Sequence, residues 1–164
     1  MIKLLVLDVD GTLTDGRITY DSNGFESKSF SVKDGLALRT WQDLGFKVAI
    51  ITGRESNIVE RRAKELKIDY LYQKCKNKLE KVEEICKKES ITLENVCAIG
   101  DDLNDLKMLQ SVGRSFTLSD CNPLIKPFVE TVLDKKGGEG AVASMVEILI
   151  EEKDMTKEYI AQWL

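Results

Sequence analysis

The sequence predicts an α/β fold, a doubly wound, Rossmann-like parallel sheet carrying a β-hairpin flap. Three apolar runs carry the prediction: Ile2 to Leu7, Lys47 to Ile51 and Asn95 to Ile99. None alternates with polar residues, which is the pattern of strands buried on both faces of a parallel sheet. Each also ends on chemistry, respectively Asp8-Val9-Asp10-Gly11-Thr12, Thr52-Gly53-Arg54 and Gly100-Asp101-Asp102. Helical patterns separate the runs, and right-handed crossovers then put all three carboxyl ends on one edge of the sheet.

Taken in order, Leu4 to Leu7 form the first strand. After Asp15-Gly16, the segments 17–21 and 25–32 are rich in Ile, Thr, Tyr and Phe, with Ser22-Asn23-Gly24 between them, which reads as a hairpin over 17–32. Asp34 is placed as the N-cap of a helix through Leu44, with Ala37, Trp41 and Leu44 on one face and Gly45 as its stop. Ser56 caps the next helix, where Val59, Ala63 and Leu66 recur at helical spacing. A short strand covers 69–72. Leu79, Val82, Ile85 and Cys86 mark a helix starting near Asn77 or Lys78, and Leu103, Leu106 and Leu109 another. Strands are expected at 115–118 and 128–133. Val142, Met145, Val146, Leu149 and Ile150 form an amphipathic helix. A tail over 152–164 ends in a turn or two of helix, too short to be stable alone, so it must pack on this subunit or a neighbour.

At 164 residues the chain is read as one domain. A net charge of −4, with basic residues interleaved with Glu, argues against nucleic-acid binding. No stretch approaches the roughly 18 apolar residues of a membrane span, and the first strand begins at once after Met1, so a cytoplasmic location is expected. The four cysteines contain no C-x-x-C pair, which makes zinc or redox roles weak. Histidine is absent, so any general acid or base near neutral pH must be a carboxyl, Lys, Cys or Tyr.

Adjacent strands lie about 4.8 Å apart, so Asp8, Asp10, Thr52 and Asp101 can converge on one small ligand in the crevice beyond the strand ends. Clustered carboxylates repel one another and raise each other's pKa. A hard cation such as Mg²⁺ resolves that repulsion and is commonly held by one or two carboxylates with substrate phosphate. Lys78, opening its helix, reaches the same edge. Its charge, the Thr52 hydroxyl and amide, and the amides after Asp8 can satisfy phosphate oxygens. With Asp8 as nucleophile and Asp10 as acid and base, the parts for phosphoryl transfer are present. The bland readings are a structural turn at Asp8 and Asp10, helix caps at Asp101 and Asp102, a plain N-cap at Asp34, and solvated charges at Lys78, Arg54 and Arg62. Convergence of three strand ends outweighs them for the first set.

In order along the chain, Asp8-Val9-Asp10-Gly11-Thr12, Thr52-Gly53, Lys78 and Gly100-Asp101-Asp102-Leu103-Asn104-Asp105 resemble the motifs of the haloacid dehalogenase superfamily of phosphatases. The resemblance implies an aspartyl-phosphate on Asp8 and Asp10 as acid/base. It also implies Mg²⁺ held by Asp8, the Asp10 carbonyl and Asp101, with Asp102 or Asp105 in support, and phosphate bound by Thr52, Gly53 and Lys78. Asp15-Gly16 with the hairpin, Phe30 to Gly35, Ile51 to Arg54, Asn77 to Glu80 and Gly137 to Val142 narrow it to a likeness with the capless 3-deoxy-D-manno-octulosonate 8-phosphate phosphatases. Their near relatives act on nonulosonate 9-phosphates. That likeness implies a homotetramer, no inserted cap domain, a sugar-acid phosphate substrate, and Asp34, Arg54 and Arg62 as substrate contacts. The intervals from Thr12 to Thr52 and from Thr52 to Lys78 hold nothing larger than the hairpin, in agreement. Two positions depart from the pattern: Glu139 and Ala143 stand where many octulosonate phosphatases carry arginine. A receiver module for signalling shares the acidic pocket, Thr and Lys. It normally accepts phosphate at its third strand, whereas the Asp pair here ends the first. A mutase would need a cap.

Overall fold

The computed structural model describes residues 1–164. Six strands form one parallel sheet: β1 (Leu4–Leu7), β4 (Lys47–Ile51), β5 (Tyr70–Tyr72), β6 (Val96–Ile99), β7 (Arg114–Thr117) and β8 (Thr131–Val132), in the order β5-β4-β1-β6-β7-β8. β1 lies in the middle, with Leu7 in register with Ile50 on one side and Ile99 on the other. The chain builds outward from β1 to β4 and β5, then returns to lay β6 against β1's opposite edge. That reversal makes the crevice beside β1 and β6 the topological switch point.

Every residue of β1 is fully buried, and the strand's two-residue period divides them between two cores. Leu5 and Leu7 pack with α1 (Val32–Asp43), α2 (Asn57–Glu65) and α5 (Ala141–Glu152) through Leu38, Trp41, Val59, Ala63, Val146 and Ile150. Leu4 and Val6 face α3 (Lys78–Glu89) and α4 (Leu106–Leu109) through Val82, Ile85, Met108 and Leu109. Helices cover both faces, as a continuous apolar strand requires.

The structure differs from the sequence reading at several boundaries. The hairpin pairs only Thr19–Tyr20 (β2) with Glu26–Ser27 (β3), two residues a side. Residues 28–31 leave the ribbon, Phe30 turns inward against the core, and Val32 already opens α1. Asp34 is not the N-cap; Ser31 is, and its hydroxyl accepts the Asp34 amide. The strand expected over 128–133 shrinks to β8, its first residue, Phe128, being taken up in a 3₁₀ turn over Lys126–Phe128 that accommodates Pro127. Leu103–Asp105 form a 3₁₀ turn before the one-turn α4. The tail forms α6 (Thr156–Ala161) and packs on its own chain: the Trp163 indole donates to the Thr40 hydroxyl at 3.2 Å, with Met155 and Tyr159 against the core. No helix is long and apolar enough to cross a membrane.

Candidate active site

The carboxyl ends of β1, β4 and β6 meet at a polar cleft of about 180 Å³, lined by Asp8, Asp10, Thr52, Gly53, Arg54, Asp101, Asp102 and Asn104, with no hydrophobic residue among them. A larger hollow of about 420 Å³ lies at the opposite ends of the strands, beside Met1 and Gly113. Its Arg114 is already ion-paired with Glu130 and Glu152, and no strand-end carboxylate reaches it.

Asp8 is buried beneath the cleft, where Lys78 Nζ lies 2.5 Å from its Oδ1. The same ammonium pairs with Asp105, which is wholly buried. Lys78 opens α3 and is itself buried, so helix placement fixes its reach. Carboxylate oxygens of Asp8, Asp101 and Asp105 lie within 4.8 Å of one another, three acids with one buried ammonium paired to two of them. That imbalance sets the electrostatics. Burial, then the Asp105 charge, pushes Asp8 up to about 6 despite Lys78. Burial, followed by Asp8 and Asp105, pushes Asp101 up to about 8. Burial works against the Lys78 charge, yet Asp8 and Asp105 hold its pKa above the ordinary value. A simple ion pair would lower the acid while raising the base. Here burial and the Asp105 charge outweigh the shared ammonium, so the acid rises as well.

The loops around this cluster are built for close approach. Gly11 has φ +99°, and a Cβ there would sit 2.1 Å from Asp101 Oδ2. A Cβ at Gly137 would meet the Gly11 carbonyl oxygen at 2.0 Å, so the glycine-rich stretch lies directly against the Asp8–Thr12 loop. The Gly138 amide donates to the Thr12 carbonyl at 3.2 Å, and the Thr12 hydroxyl to Asp101 Oδ1 at 3.3 Å.

Asp102 and Asp105 separate in role. Asp105 Oδ2 accepts the Asp101 and Asp102 amides at 3.0 and 3.3 Å while its Oδ1 takes Lys78, so both oxygens brace the loop from below. Exposed Asp102 caps the 3₁₀ turn, accepting the Leu103 amide at 2.7 Å and the Asn122 side chain at 2.8 Å. Asp10 lies at the rim with its carboxylate paired to Lys28, outside the three-acid cluster.

Two expected substrate contacts are not brought to the cleft. Asp34 is buried, its Oδ1 accepting the Ala143 amide at 2.8 Å at the start of α5. Burial pushes its pKa up to about 6 against that amide, Arg62 and Lys135. Arg62 bonds the Ser31 carbonyl at 3.3 Å and stacks over Phe30 at 5.6 Å. Asp34 thus ties α1 to α5, and Arg62 ties the exit of the hairpin to α2. Arg54 does line the cleft, with Nη2 3.5 Å from the Tyr20 hydroxyl and 3.5 Å from Glu26 Oε1. Sequence reasoning passed over Asn104, Lys28 and Glu26. Asn104 was within reach, since it belongs to the Gly100–Asp105 motif; no pattern marked the two hairpin residues.

A profile of haloacid dehalogenase-like hydrolases matches residues 5–77 and 68–146. The chain is 42% identical over 149 residues to the 3-deoxy-D-manno-octulosonate 8-phosphate phosphatase KdsC of Escherichia coli K12, covering 91% of this chain and 79% of that one. It is 38% identical over 153 residues to KdsC of Haemophilus influenzae, covering 92% and 83%. Among solved structures, the 3-deoxy-D-manno-octulosonate 8-phosphate phosphatase of Moraxella catarrhalis, in complex with magnesium, phosphate and KDO, superposes with a TM-score of 0.95 at 39% identity, covering 99% of this chain and 94% of that one. The cobalt-bound enzyme of H. influenzae superposes with a TM-score of 0.89 at 36% identity, covering 93% and 90%.

Proposed function

We propose a function from this premise: the chain belongs to the haloacid dehalogenase-like hydrolase family, and it is a Mg²⁺-dependent phosphatase of 3-deoxy-D-manno-octulosonate 8-phosphate. One observation carries the chemistry. Three buried strand ends deliver Asp8, Thr52 and Asp101 to a single polar cleft with Lys78 beneath it.

In this reading an Asp8 carboxylate oxygen attacks phosphorus and the bond to the sugar oxygen breaks, leaving an aspartyl-phosphate. Asp10 gives its proton to the departing oxygen and later takes one from the water that releases phosphate. Lys78, the Thr52 hydroxyl and the Gly53 amide offset charge on the transferring phosphoryl oxygens. The cleft suits Mg²⁺: hard oxygen donors cluster within 4.8 Å, negative charge is in excess, and both Asp8 and Asp101 are raised by burial and by the carboxylates beside them. Asp8 and Asp101 would hold the ion, with the Asp10 carbonyl as a third donor and Asp105 bracing the loop. When bound, Mg²⁺ supplies positive charge against the carboxylates and the phosphate.

The sugar acid carries a carboxylate remote from its phosphate. Arg54, next to Thr52 and half exposed at the rim, is positioned to meet it with a bidentate guanidinium. Hydrolysis should be tested with a panel of sugar phosphates and Mg²⁺, and Arg54→Ala should weaken the octulosonate substrate far more than an aryl phosphate. Equal losses, or a preference for nonulosonate 9-phosphates or neutral hexose phosphates, would refute the substrate assignment.

Residues 1–164 act in this reading as one phosphatase unit that assembles as a homotetramer, with the hairpins meeting and neighbours closing each cleft. Exposed Tyr20, Phe25 and Val32 along the hairpin and its exit support it, being more apolar surface than a four-residue ribbon can bury. Light scattering at micromolar concentration should give four chains; an active monomer would refute it. Four unpaired thiols fit the reducing cytoplasm proposed for the enzyme.

A further inference from the structure

Lys28 follows β3 at the exit of the hairpin, where a lysine is ordinarily solvated. Its side chain is instead wholly covered, 0% exposed, and its ammonium pairs with Asp10 Oδ1. Glu26 Oε1 lies 3.5 Å away on the other side. Glu26 is tied in turn to the strand-end loop after β4, accepting the Ser56 hydroxyl at 2.8 Å and facing Arg54 at 3.5 Å. Ordering a lysine costs side-chain entropy, and covering its charge costs solvation unless it is paired. A hairpin that pairs only two residues a side has little stability of its own to spend on this. The polar seam Ser56–Glu26–Lys28–Asp10 therefore fastens the hairpin to the cleft at the one carboxylate that must be aimed.

We propose that Lys28 is a positioning residue for Asp10, so that the hairpin is part of the apparatus that transfers the proton. Holding Oδ1 leaves Oδ2 to face the bridging oxygen of the substrate. As the phosphorus–oxygen bond breaks and the Asp8–phosphorus bond forms, the Asp10 proton passes to the departing alkoxide. When water attacks phosphorus, the proton it loses returns to Asp10 and the Asp8–phosphorus bond breaks. A carboxylate free to rotate makes the same transfers less often. The inference rests on the phosphatase reading above.

The test is leaving-group dependence, measured as kcat/KM, which reports steps up to the first departure. An alkyl phosphate such as the sugar-acid substrate needs a proton on its leaving oxygen; p-nitrophenyl phosphate releases a stable phenolate and does not. Lys28→Met should lower kcat/KM for the sugar-acid phosphate by about tenfold or more, within the range general acid catalysis supplies. The change on p-nitrophenyl phosphate should stay under about threefold, so that ground-state binding and the fold are seen to be intact. Lys28→Arg, which keeps charge and reach, should restore most of the loss. Equal losses on both substrates would overturn the proposal, since a phosphate-binding or purely structural lysine predicts that. So would an unchanged rate on the sugar-acid phosphate. Asp10→Asn separates the two levels: if it too affects both substrates alike, the acid role of Asp10 fails. A selective loss in Asp10→Asn without one in Lys28→Met sinks only the role of Lys28.

Discussion

The acid cluster makes stability depend on pH in a direction that Mg²⁺ should reverse. Asp101 is raised to about 8 and Asp8 to about 6, both from an ordinary 3.8, by burial and by the carboxylates around them. A carboxyl whose folded value lies above its unfolded one keeps its proton in the native state after the unfolded chain has released it. Between pH 6 and 8 the cation-free native protein thus binds more protons than the unfolded chain, one at Asp101 and, toward pH 6, part of one at each of Asp8 and Asp34. Its unfolding free energy falls as pH rises, by at most about 3 kcal/mol across the window, most of it from Asp101. The cleft is open to water, so the observed slope should be shallower.

Mg²⁺ competes with that proton, so its binding should strengthen with pH. At a hundredfold excess over its Kd it adds about 3 kcal/mol, enough to cancel the loss at pH 8. Urea unfolding at pH 6, 7 and 8, in EDTA and in Mg²⁺, measures both curves. The EDTA midpoints should fall with pH, the Mg²⁺ midpoints should stay level, and Asp101→Asn should flatten the EDTA series. Equal stability at pH 6 and 8 in EDTA, or a Mg²⁺ increment that ignores pH, would refute the reasoning.

Three further outcomes follow from the same geometry. Asp8→Asn should abolish turnover, because an amide cannot form the acyl phosphate; near-normal phosphate release would end the mechanism. Asp10→Asn should cost about 10²- to 10⁴-fold in kcat, the usual range for general acid–base catalysis, read by phosphate release from the sugar-acid substrate. Gly11→Ala should cost about 2–4 kcal/mol from positive φ and overpacking, because its Cβ would lie 2.1 Å from Asp101 Oδ2. Thermal melting and Mg²⁺ titration check it, and unchanged values for both would show that the loop tolerates a side chain.

The sheet and its working edge were legible because burial leaves a simple trace. A strand covered on both faces must be apolar at every position, and β1, β6 and β4 after its first residue, Lys47, are. Polar residues ending such strands then stand out, which is how Asp8, Thr52 and Asp101 were found. The strand order was not written in any local pattern; it follows from long crossovers that compete through packing of whole helices. Boundaries slipped where two local signals met. Asp34 has a capping side chain, but Ser31 lies where the chain turns from extended to helical, so Asp34 falls one turn inside and caps the start of α5 instead. The 3₁₀ turn that holds Pro127 took the first residue of another expected strand, Phe128.

The hairpin was the least legible part, and the reason bears on the cleft itself. Its alternation of Ile, Thr, Tyr and Phe reads as a ribbon through Val32, yet the ladder stops after two pairs. Side chains beyond Ser27 then obey tertiary demands: Phe30 turns to the core beneath Arg62, and Lys28 turns to Asp10. A period-two pattern cannot announce those contacts, because each partner is at least 18 residues away. In a chain without histidine, the proton chemistry rests on carboxyls whose orientation must come from neighbours. The same shortage that made Asp10 easy to single out by elimination makes its aim depend on a segment whose sequence gives no sign of it.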